Sequence, residues 1–191
     1  MAPKVQPSKV LVYIASIFAI TLWGMSYIWT DKLIALNIPI FYFVFVRILV
    51  AGIVLFLFNT AYARIKRIQK QDLGKFLLLA FFEPFIYFIC ETYGLKLTGS
   101  PTLSAMVVAT IPIFSIGAGM IFFKEKVNVV NIVGIVFTLI GIVMVAMAKG
   151  ELGENFIWGV VLLLIAVVSE VGHASITKSL SGNYSSQIIV M

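Results

Sequence analysis

TLSAMVVATIPIFSIGAGMIFF, residues 102–123, followed by Lys124-Glu125-Lys126 and then VNVVNIVGIVFTLIGIVMVAMA, residues 127–148, decides the fold class. Neither segment carries a charge. At about 1.5 Å of rise per residue each makes a helix of roughly 33 Å, enough to cross a hydrocarbon core of about 30 Å. Working outward, four more apolar runs fit the same ruler: residues 10–30; 40–58, entered through Asn37 and Pro39 and interrupted by Arg47; 76–95, with Glu83 and Glu91; and 157–177, with Glu170 and His173. Gly182 and Asn183 then make a turn and residues 184–191 begin another helix. The expected fold is all-α, a polytopic membrane helix bundle of six full transmembrane helices plus the start of a seventh.

Composition agrees. The chain is 61% hydrophobic and 12% charged, against about 45–50% and roughly 25% for soluble domains. The net charge of +6 does not indicate nucleic acid, because the basic residues lie in short clusters between apolar runs, as in cytoplasmic loops. The partner is therefore the lipid bilayer. Lys4, Lys9, Arg64, Lys66, Arg67, Lys70, Lys75, Lys124, Lys126 and Lys178 fall on one side, against Lys32, Lys96 and Lys149 on the other. That asymmetry places the N-terminus in the cytoplasm. The first run is too long for a cleavable signal and ends in bulky Tyr27 and Trp29, so it is expected to remain as a spanning helix. A lone Cys90 permits no internal disulfide and no metal set, and no metal or cofactor is expected.

A shift of 146 residues lays Ser26–Lys32 over Gly172–Lys178 and Pro39 over Ser185. An odd, five-helix repeat must return upside down, a common construction of secondary transporters, and two such units would need about 290 residues. Residues 1–148 are then the first repeat and 149–191 the start of a second, in a truncated chain.

The block GLKLTGSPTLSAM (94–106), followed by TIPIF (110–114), FFKEK (122–126), Gly134 and GIVM (141–144), resembles the EamA domain of the drug/metabolite transporter superfamily, with Trp23-Gly24 and Arg47 in similar places. The resemblance covers the first five helices and part of the sixth. It implies ten helices in two inverted repeats, both ends cytoplasmic, and a central cavity through which small metabolites or drugs are transported. The expected location is a bacterial inner (plasma) membrane, with the remaining repeat missing from this chain.

Pro112, midway along its run, loosens the backbone, and Ser104, Thr110 and Ser115 are at hand for the freed carbonyl. It either packs as a kink or lines a cavity. Gly134, Thr138 and Gly141, with Ala105 and Ala109, offer small surfaces for close helix contact. Glu125 is placed to cap the helix that follows it.

Charges inside the membrane cost about 2.5–3.5 kcal/mol each at the centre and so face a cavity or a partner. On a regular helix Glu83, Tyr87, Cys90, Glu91 and Gly94 share an arc, as do Glu170, His173 and Thr177. Helix rise puts Arg47 about 11 Å and Glu91 about 8 Å below the outer surface, a predicted structural ion pair. Glu83 and Glu170 lie deeper, at about 19 Å, with no Lys or Arg at their level. With Tyr87, Pro112 and His173 they are expected to line the substrate pathway and to exchange protons there. The function expected is a secondary transporter of a small organic solute. The alternative is a non-transporting assembly or scaffold protein whose buried charges are structural. The motifs of hydrolytic enzymes are missing, and no enzyme is expected.

Overall fold

The computed structural model describes residues 8–61, 68–124, 128–148 and 154–190, and all regular structure in them is helical. Ser8 caps α1 (Lys9–Ala35), its hydroxyl accepting the Leu11 N–H at 3.3 Å. The chain turns at Asn37, whose φ of 57° is left-handed, a conformation Asn tolerates better than most residues, and Pro39 leads into α2 (Ile40–Ala61). A 3-10 turn (Lys70–Asp72) opens a composite rod of α3 (Leu73–Ala80), a π-helical segment (Phe81–Tyr87) and α4 (Phe88–Thr98). Gly99, at φ 56°, ends α4; Ser100 then accepts the Leu103 N–H, and Pro101 starts α5 (Pro101–Val108). After it come α6 (Ile111–Phe123), α7 (Val129–Ala148), α8 (Glu154–Leu180) and the short α9 (Ser186–Val190).

Five segments, Lys9–Ala35, Ile40–Ala61, Lys70–Thr98, Pro101–Ile121 and Glu154–Leu180, are long and apolar enough to cross a membrane. Two of them are less regular than an unbroken helix. The third contains the π turn, with Pro84 inside it: proline has no N–H to give the ladder, and a wider turn absorbs the mismatch. The fourth breaks at Ala109–Thr110, one turn ahead of Pro112, which has no N–H to give the Val108 carbonyl and whose ring crowds the preceding turn. The Thr110 hydroxyl donates to the Val107 carbonyl at 2.6 Å there.

The exposed surface is the apolar one. Ile14, Phe18, Phe41, Phe45, Ile121 and Phe137 are all at least 60% exposed, while Thr30, Asn59, Glu91, Thr98, Ser104, Thr110 and Ser169 are buried. Water would not tolerate that distribution and lipid requires it. The chain is an integral membrane protein.

Packing centres on α8, which lies along α4 and also meets the π segment, α5, α6 and α3. The closest crossing is at Gly94 and Gly159. A Cβ on Gly94 would stand 2.7 Å from Leu163 Cγ and 2.9 Å from the Gly159 carbonyl oxygen; one on Gly159 would meet the Thr98 nitrogen at 2.9 Å. The small residues singled out on the fifth run do not make this contact: nothing lies within 4 Å of a Cβ at Gly134, and at Gly141 the nearest atom is Met106 Cε at 3.7 Å. Tyr27, Tyr87, Leu95, Leu103, Val107, Leu163 and Ala166 form the main core. A second core joins Leu79, Leu180, Tyr184, Ile188 and Ile189. There the Tyr184 hydroxyl donates to Asp72 Oδ2 at 2.9 Å and accepts the Gln69 N–H at 3.1 Å.

Candidate functional site

Two clusters of titratable side chains occupy the interior, and both use the composite rod. The first surrounds Glu91, near the start of α4, which is 5% exposed. Its Oε1 accepts hydroxyls from Tyr27 of α1 at 2.6 Å and from Tyr87 at 2.9 Å. Arg47 of α2 brings Nη1 to 3.7 Å from Oε2, and its guanidinium carbon lies 4.3 Å from the centroid of the Phe88 ring. Charge, two short hydrogen bonds and an aromatic face thus hold one buried carboxylate among three spans.

The second cluster joins the π segment to α8. His173 Nε2 is 3.0 Å from Glu83 Oε2, and His173 Nδ1 is 3.7 Å from Glu170 Oε1. Glu170 and His173 are one turn apart on α8, so the helix presents both to the same side, while Glu83 arrives from the facing π turn. Ser169, beside Glu170, donates its hydroxyl to the Phe82 carbonyl at 2.8 Å and ties the two elements together. Phe82 also packs at 3.4 Å on the Cβ position of Gly172. Among the described residues, no Lys or Arg pairs with Glu83 or Glu170. The imidazole thus stands within ion-pair distance of a carboxylate on either side, one from each element.

The three groups set one ligand atom each within 4.8 Å of one another. That spread is wider than the separation of about 3.3 Å between neighbours in a tetrahedral shell of roughly 2.0–2.1 Å bonds.

The structure therefore brings Glu83, Glu170 and His173 together, and Arg47, Glu91 and Tyr87 together. It does not keep Glu83 and Glu91 on one face. The π turn between them changes the helical register, so Glu83 meets α8 while Glu91 meets α1 and α2. Pro112 is in neither cluster and is exposed at the start of α6. Glu125, expected as a helix cap, lies outside the described residues. Tyr27 and Ser169 went unnoticed in the sequence. For Tyr27 the signal was its level: a tyrosine near the outer end of an apolar run, opposite an acid near the outer end of another.

An apolar exterior, charged side chains of the spans gathered in two clusters between helices and a distorted helix beside them define a class: polytopic membrane proteins with polar groups set between their spans. Within that class, the chain belongs to the EamA-like transporter family, whose model matches residues 10–147. It is 24% identical over 176 residues to an uncharacterized transporter of Archaeoglobus fulgidus, covering 90% of this chain and 59% of that protein. It is 25% identical over 181 residues to the uncharacterized transporter YetK of Bacillus subtilis, covering 93% of this chain and 54% of the relative. The uncharacterized transporter YoaV of the same organism is 26% identical over 163 residues, 84% of this chain and 54% of its own length. The chain thus spans little more than half the length of these relatives. No solved structure matches it.

Proposed function

We propose that these residues form the first five-helix repeat (1–148) and the opening of the second (149–191) of a secondary transporter that carries a small organic solute through a central cavity. In this reading α7 is the sixth crossing, α9 begins the seventh, and the N-terminus is cytoplasmic. The observation that carries the proposal is the cluster of Glu83, His173 and Glu170. It spans two elements and, among the described residues, has no Lys or Arg paired to it, at a depth where an idle charge would be costly.

The groups that face the imidazole are Glu83 from the π segment and Glu170 from its own helix; Arg47 is the next charge that acts on Glu83. Protonation of this set changes its net charge, which couples the pathway to pH without a metal or cofactor. Pro112 and the break before it supply a bend next to that pathway. Arg47 and Glu91, with the two tyrosines, hold the three outer helix ends together. The scaffold reading makes both clusters purely structural. Reconstituting the full-length protein in vesicles and following a panel of labelled organic solutes separates the two: saturable flux supports transport, and its absence from well-folded protein across the panel supports the scaffold.

A further inference from the structure

Arg47 has more hydrogen-bond donors than its surroundings use. A guanidinium carries five N–H donors in a planar fork. Among the described residues its partners are the Phe88 ring, which attracts the cation but takes no N–H in a conventional hydrogen bond, and Glu91 Oε2 at 3.7 Å, which is beyond hydrogen-bonding distance. Glu91 is meanwhile served by the Tyr27 and Tyr87 hydroxyls, both on Oε1. The Arg47 side chain is 29% exposed, so part of it faces space that the described residues do not fill. At about 11 Å below the membrane surface, that space must supply an acceptor, because unbonded donors at such depth are expensive. The Phe88 ring at 4.3 Å and Glu91 at 3.7 Å hold the guanidinium in place, and its planar fork suits a flat group with two oxygens.

We propose that Arg47, seated on Phe88, is a subsite for a carboxylate on the transported solute, so that one end of the solute is an organic acid. The word transported rests on the reading above; the binding itself does not. Helix rise places this subsite about 8 Å toward the outer surface from Glu83.

The test is binding by the full chain in neutral, lipid-free detergent, measured by calorimetry and by thermal unfolding, with benzoate and its neutral isostere benzamide as probes. Benzoate is expected to bind about tenfold or more tightly than benzamide. Arg47→Lys keeps the charge but loses the fork, and should weaken benzoate about tenfold while leaving benzamide unchanged; Arg47→Gln should abolish the preference. Equal binding of the two probes by the unaltered chain overturns the proposal, and that arm holds even if a variant fails to fold. So does a benzoate preference that survives in folded Arg47→Lys at full strength. A response to phosphatidylglycerol without one to benzoate overturns it too, since the acceptor is then a lipid phosphate. A failure of transport would leave the benzoate result standing.

Discussion

Glu91 shows what a buried acid in a membrane requires. Its carboxylate has a cation within ion-pair distance and two phenols within hydrogen-bond distance, drawn from three separate spans. Hydrogen bonds between membrane helices are worth about 0.6 kcal/mol on average and up to roughly 1.7. Tyr27→Phe is therefore expected to cost about 1 kcal/mol, read as a shift in the denaturation midpoint in detergent, whereas Tyr13→Phe, at a residue 69% exposed, should cost nothing measurable. Equal effects at the two positions would remove Tyr27 from the account. At this scale, depth was legible in the sequence: helix rise alone sets Arg47 and Glu91 at nearly one level. Partner choice was less so, since a tyrosine in an apolar run looks like packing until the helix that faces it is known. The triad's proximity also needs tertiary structure, because Glu83 and His173 are ninety residues apart.

Among the elements, the apolar runs were the legible part. Their lengths and the charges between them locate the helices to within a few residues, because the bilayer imposes the length. The interruptions were not. Pro84 sits in a run that reads as regular, and the resulting π turn separates Glu83 from Glu91 in a way that a constant rotation per residue cannot anticipate. The break at Ala109–Thr110 was foreshadowed by Pro112 but falls before it. Close packing was misread too: small residues on the fifth run suggested a tight crossing, yet the backbones meet most closely where Gly94 faces Gly159. Gly94→Ala drives a methyl into the Gly159 carbonyl and Leu163, and should cost about 1–3 kcal/mol and lower the yield of folded protein. Gly52→Ala, where a Cβ meets nothing within 4 Å, should be neutral or slightly stabilising. Size-exclusion profiles and thermal midpoints of the two variants check this, and a normal midpoint for Gly94→Ala would mean that α4 and α8 do not approach so closely.

For the whole molecule, the distribution of Lys and Arg predicts an orientation, and orientation decides which way the proposed pathway faces. Residues 64–75 should lie in the cytoplasm and residues 149–155 outside. Single cysteines at these sites, in a Cys90→Ser background, should react with an impermeant thiol reagent on intact cells only at the second. Labelling of the first from outside would invert the topology. The central claim is that the cluster of Glu83, His173 and Glu170 serves solute movement while Glu91, with Tyr27 and Tyr87, serves the fold. Solute flux through full-length protein in vesicles, compared for the unaltered chain, Glu83→Gln and Glu170→Gln from about pH 5 to about pH 9, tests it most directly. The account expects each Gln variant to express and fold normally, to lose most of its flux and to show a flattened dependence on pH. Flux at the unaltered rate across that range, in both variants, would contradict it.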